Sequence, residues 1–153
     1  MATFEDLVAR GFTRCAVTAR RVNITHDDPH ELGPFCRLAV DDSAPDGPGV
    51  YTWTVDGEAM YVGKASRLQC ITQGARMGRP YNDYTYIPAS QCTKASDPRV
   101  RINGLINRAL GGRATIEWWW LQVATVDGAA ALEDQLIDQW QPPWNRMGIR
   151  RTI

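Results

Sequence analysis

The sequence predicts an α+β domain: a small central sheet, antiparallel or mixed, of about three strands flanked by helices. Three observations support this. Residues 49–64 read as two β-branched and aromatic runs either side of an Asp-Gly turn signal. Residues 115–124 form a largely apolar run with three consecutive tryptophans. Two stretches of helical periodicity, before and after that run, supply the flanking layer.

The totals bound the answer. At 153 residues the chain is long enough for one domain with a real core. No stretch approaches a membrane span, and Glu5 and Asp6 stand where a signal peptide needs positive charge and then an apolar run. The four cysteines, Cys15, Cys36, Cys70 and Cys92, are widely spread with no C-x-x-C pair, which fits a reduced cytoplasmic protein better than a disulfide framework or a zinc site. His26 and His30 flank an Asp-Asp-Pro segment that reads as a loop rather than a metal site.

In chain order, Thr3 with Asp6 three residues on forms a capping box for a short helix. Phe4, Leu7 and Val8 make its apolar side, and Gly11 stops it. Residues 15–18 and 35–40 are strand candidates, and the Asp-, Pro- and Gly-rich run 41–48 is a loop. The hairpin 49–64 admits two registers. A two-residue Asp56-Gly57 turn sets Tyr51 against Val62 and sends Tyr61 to the other face. A three-residue loop with Gly57 left-handed pairs Tyr51 directly with Tyr61, and this second register is the expected one. Residues 65–73 read as a short helix, and 78–97 as a long irregular stretch carrying Tyr81, Tyr84 and Tyr86. Asp97-Pro98 caps a helix whose stripe is Ile102, Leu105, Ile106, Ala109 and Leu110, leaving Arg101, Asn103 and Arg108 off it. Trp118, Trp119 and Trp120 are expected in the core of a strand covered on both faces.

The last helix, from about Gly128 to Trp140, carries Ala129, Leu132, Leu136, Ile137 and Trp140 on one arc, and Glu133 falls inside it. A carboxylate on the apolar side needs a cation or hydrogen-bond donors waiting for it. An ion pair with an arginine is the plain reading; a metal ligand is the sharper one. Charge distribution adds to this. The formal net charge is zero, yet Lys64, Arg67, Arg76, Arg79, Lys94, Arg99, Arg101, Arg108 and Arg113 stand between 64 and 113 against only Asp83 and Asp97. Such a local basic stretch is either a solvated surface or a phosphate-binding face.

Gly49-Val50-Tyr51 followed by Tyr61-Val62-Gly63 resembles the paired signature of the GIY-YIG nuclease family. Glu133 on a late helix and Asn145 soon after it resemble that family's closing pattern, so the likeness covers about Gly49 to Asn145. Lys64 after Gly63, and Arg101-Ile102-Asn103, are similar to the small type II restriction endonuclease branch. The resemblance implies an accessory segment at 1–48, a nuclease domain at 49–145 and a tail at 146–153. It implies metal-dependent hydrolysis of a double-stranded DNA phosphodiester, with Mg2+ or Mn2+ held by Glu133, by a monomer or homodimer.

By the same resemblance Tyr51 accepts a proton from the attacking water, Tyr61 orients water or phosphate, and Asn145 holds structure in place. A tyrosine is a poor base with its ordinary pKa of about 10, and Lys64 is the neighbouring cation expected to lower it. Arg79, Lys94, Arg99, Arg101 and Asn103 are the expected DNA contacts. The family arginine falls here on Cys70, Ile71 or Thr72, so Arg76, or else Arg67, is expected to take its part. The competing readings are a catalytically impaired module that binds DNA without cutting, and a repair or mobile-element nuclease. The latter normally attaches a separate DNA-binding domain, for which this chain leaves no room.

Overall fold

The structure, a computed structural model, describes residues 1–15, 17–24, 35–40, 44–71 and 98–150. Its elements are α1 (Phe4–Arg10), β1 (Thr13–Cys15), β2 (Val17–Ile24), β3 (Phe35–Val40), β4 (Gly49–Val55), β5 (Glu58–Ala65), α2 (Pro98–Gly111), β6 (Ile116–Gln122) and α3 (Val126–Trp140). The central sheet has four strands in the order β1-β6-β4-β5, every pair antiparallel. β2 and β3 pair antiparallel as a separate ribbon, against which α2 packs. No described helix is long and apolar enough to cross a membrane.

Helices on both sides make the tryptophan strand a core strand. Trp118 faces Tyr51, Trp53 and the α2 residues Ile102 and Ile106. Trp119 faces Val50, Val62 and the α3 residues Ala129, Leu136 and Ile137, together with Leu7 of α1. Neither indole is more than 2% exposed, so neither is a stacking platform for nucleic acid. Each removes roughly 150–250 Å2 from water, a gross gain on the order of 4 kcal/mol. The Trp119 indole N–H also donates to Thr54 Oγ1 at 3.1 Å, so its burial strands no donor.

The hairpin is the main correction to the expected pairing. Asp56 and Gly57 both take positive φ, 50° and 81°, the signature of a two-residue type I′ turn. Asp56 tolerates that conformation because it is tied on both sides to Thr115. Its N–H donates to the Thr115 carbonyl at 2.9 Å, and its carboxylate accepts the Thr115 N–H at 2.8 Å. The register then shifts between Trp53 and Thr54: Thr54 opposes Ala59, but Trp53 opposes Tyr61, leaving Met60 as a one-residue bulge. Tyr51 therefore opposes Gly63, not Tyr61. The two tyrosines still share a face, diagonally, with ring centroids 6.3 Å apart.

Other elements differ in detail. In α1 the Thr3 N–H donates to the Asp6 carboxylate at 2.8 Å and Gly11 ends the helix at φ 95°, as the capping pattern requires, but Phe4 and Val8 are half-exposed and only Leu7 is buried. Asn103 in α2 is fully buried, as is its i+4 neighbour Asn107 at 2% exposure. α3 starts two residues earlier than its apolar arc suggests, because Thr125 Oγ1 caps Gly128 N–H at 2.9 Å.

Candidate active site

The site is built around β5, the strand at the end of the sheet. Along an edge strand, alternate residues turn their N–H and C=O away from the neighbouring strand. Here those groups are claimed one after another. The Trp144 N–H donates to the Met60 carbonyl at 2.8 Å. The Asn145 side chain then mimics a strand: Val62 N–H donates to its Oδ1 at 2.9 Å and its Nδ2 donates to the Val62 carbonyl at 2.8 Å. Lys64 comes next along the edge, and its charge and backbone act on the carboxyl of Glu133. Thus Asn145 holds the strand between Tyr61 and Gly63.

Gly63, opposite Tyr51 in the ladder, leaves room for the phenol ring. A Cβ there would lie 2.5 Å from Cζ and 2.6 Å from Oη of Tyr51. The Tyr51 phenol therefore lies flat against the Gly63 backbone, with Trp118 at 5.9 Å and Tyr61 at 6.3 Å between centroids. Gly49 is required for a different reason: its Cβ would collide with the Leu121 carbonyl and with Leu68, which is fully buried. The glycines of the paired signature thus make room for a phenol and for a core leucine.

Glu133 lies on the buried arc of α3, half-buried. Burial pushes its carboxyl above the ordinary range; the Lys64 charge and N–H pull it back down, while Asp134 pushes it further up. The net result is a partly desolvated carboxylate whose negative charge its protein neighbours do not fully compensate. That fits a divalent cation. Among the described residues no group of three His, Cys, Asp or Glu side chains is poised to hold a metal, so an ion at Glu133 would keep most of its ligands as water, which is how Mg2+ is usually bound.

Two expected roles are altered. Strand alternation places Lys64, opposite Val50, on the α3 side of the sheet, and its charge acts on Glu133 rather than sitting beside the phenol pair. Arg67 is engaged elsewhere, forming a two-pronged ion pair with Asp46: Nε to Oδ1 at 2.7 Å and Nη2 to Oδ2 at 3.0 Å. With Leu68 N–H on the Gly47 carbonyl, this pair pins the loop before β4 to the turn after β5. Asn103, being buried, is not on a surface that DNA can reach. Arg99 and Arg101 lie on the first turn of α2. Arg76, Arg79 and Lys94 lie outside the described residues, as do the 78–97 tyrosines and both histidines. Sequence reasoning missed Trp144 and Met60, whose parts are played by backbone groups and leave no side-chain signal.

The chain thus has an antiparallel sheet between helices, with a phenol pair on one face and Glu133 beside Lys64 on the other. No protein-family model matches it, and no curated protein does. Among solved structures it is similar to a point mutant of EndoII from bacteriophage T4, at 19% identity and a TM-score of 0.53, over 95% of this chain and 100% of that one. It also aligns with the GIY-YIG N-terminal endonuclease domain of UvrC from Thermotoga maritima, bound to magnesium as its catalytic divalent cation. That alignment has 25% identity and a TM-score of 0.42 over 69% of this chain and 90% of that one. With the paired signature on β4 and β5 and the glutamate and asparagine behind it, the fold is that of the GIY-YIG nucleases.

Proposed function

We propose that the chain is a divalent-metal-dependent endonuclease that hydrolyses double-stranded DNA to 5′-phosphate and 3′-hydroxyl ends. The observation behind this is local. The charge and backbone of Lys64, the residue directly after the glycine on which the Tyr51 phenol rests, act on Glu133. A metal at Glu133 would supply Lewis-acid charge to the scissile phosphate. Tyr51, as its phenolate, accepts the proton of the attacking water and becomes the neutral phenol, and Tyr61, diagonal to it, orients that water or a phosphate oxygen. The Lys64 ammonium, exposed at the end of β5, neutralises a non-bridging oxygen as negative charge grows in the transition state. Asn145 holds β5, the strand that carries Tyr61 and Lys64.

Because Asp46 occupies Arg67, Arg76 takes the arginine role in this reading. The same engagement favours the second reading, a module that binds DNA without breaking it. The finer assignment, a restriction-type enzyme, rests on Lys64 following Gly63 and on the Arg101-Ile102-Asn103 segment, of which Asn103 serves only from within the core.

Incubation of supercoiled plasmid with Mg2+ or Mn2+ tests both levels. Discrete fragments support a restriction-type nuclease, and scattered ends support a nuclease of broader choice. Salt-sensitive binding with no strand breaks supports the impaired module. Glu133→Ala is expected to abolish breakage while leaving DNA binding intact.

A further inference from the structure

The outer edge of β5 changes phase partway along. In its first part the odd-numbered residues face outward and belong to the N-terminal segment: Phe4 N–H donates to the Gly57 carbonyl at 2.7 Å, and Ala59 N–H to the Ala2 carbonyl at 2.9 Å. In the second part the even-numbered residues face outward and belong to the C-terminal half: Met60 to Trp144 and Val62 to Asn145. The switch falls at the bulge. Without an extra residue, outward groups alternate regularly, and the outward residue before Tyr61 is Ala59, which the N-terminal segment already holds.

From this we infer that Met60 is a positioning residue for the site: the bulge divides one strand edge between the two ends of the chain and so seats Trp144 and Asn145 against the signature tyrosines. The inference rests on the nuclease reading for its activity arm alone. It is the backbone of Met60 that acts, since its side chain only packs at the margin of the core. Deleting Met60 makes Ala59 and Tyr61 consecutive, so Thr54 still opposes Ala59 and Trp53 still opposes Tyr61. Both tyrosines keep their face, and what is lost is the separate residue on which Trp144 docks, leaving Ala59, already bound to Ala2, to serve both ends of the chain.

The test compares deletion of Met60 with Met60→Ala, read by amide hydrogen exchange at Val62 and by plasmid cleavage. Met60→Ala keeps the carbonyl and is expected to match the parent in both. Deletion of Met60 is expected to speed Val62 exchange by about tenfold or more, since its N–H loses a firmly held Asn145. It is also expected to lower kcat on the order of 100-fold, the usual effect of misplacing groups by about 1 Å, with KM little changed. Should the deletion variant not fold, Trp144→Ala and Trp144→Pro replace it. Both lose the ring, but only the proline loses the N–H that Met60 receives, so faster Val62 exchange is expected in Trp144→Pro beyond that in Trp144→Ala. Parent-like exchange at Val62 in the deletion variant, or equal exchange in the two Trp144 variants, overturns the inference. If the parent protein breaks no DNA, the nuclease reading fails, while the exchange measurements still decide this one.

Discussion

Gly63→Ala is the smallest change that reaches the proposed chemistry. The added methyl would stand 2.5 Å from Tyr51 Cζ, 2.6 Å from Oη and 3.0 Å from Cε1. Comfortable carbon contacts are about 3.5–4.0 Å, so the phenol must retreat by roughly 1 Å. It has little room to do so: Tyr51 is 6% exposed and wedged between Trp118 and Tyr61. Forcing a methyl into such packing costs about 1–3 kcal/mol of stability, and displacing a reacting group by about 1 Å costs on the order of 100-fold in rate. Urea unfolding measures the first quantity, and single-turnover cleavage of supercoiled plasmid in Mg2+ measures the second. A Gly63→Ala protein that cleaves at the parent rate refutes the placement of Tyr51 as the proton acceptor.

Further expectations follow from the same geometry. Glu133→Gln should abolish cleavage yet stabilise the metal-free protein at neutral pH, by a few tenths to about 1 kcal/mol given its partial solvation. The sign follows from the raised carboxyl pKa: the fold favours protonated Glu133, so its stability contribution is present at acid pH and lost as pH rises through the folded-state pKa. The variant's advantage in thermal melts should therefore shrink as pH falls through the carboxylate range. Asn145→Ala removes both bonds to Val62 and should cost about 1–3 kcal/mol in urea unfolding, with cleavage falling alongside. Arg67→Ala should leave cleavage near the parent level, because that guanidinium is bound to Asp46; a severe loss of kcat would return Arg67 to the catalytic role.

Much of this site was legible in the sequence, and for physical reasons. A carboxylate on the apolar arc of a helix is unusual enough to be noticed, and Glu133 lies there, half-buried against β5. Three consecutive tryptophans imply a strand covered on both faces, which β6 is. The hairpin register was not legible, because an Asp-Gly pair suits both loop lengths. What decides it lies far along the chain: Thr115 holds Asp56 in the two-residue turn, while Trp144 and Asn145 hold the shifted strand beyond the bulge. Burial of Asn103 was equally hidden, since an apolar stripe cannot announce a polar residue that packs beside it. Strand β1 is only three residues long, too short for any alternation to mark it as a fourth strand.

The most direct measurement is of the ends left on plasmid DNA treated with the parent protein and with Glu133→Gln in Mg2+. The account predicts 5′-phosphates and 3′-hydroxyls from the parent, and intact but still bound plasmid from the variant. Strand breaks made equally by both proteins would contradict it, as would DNA bound by both and cut by neither.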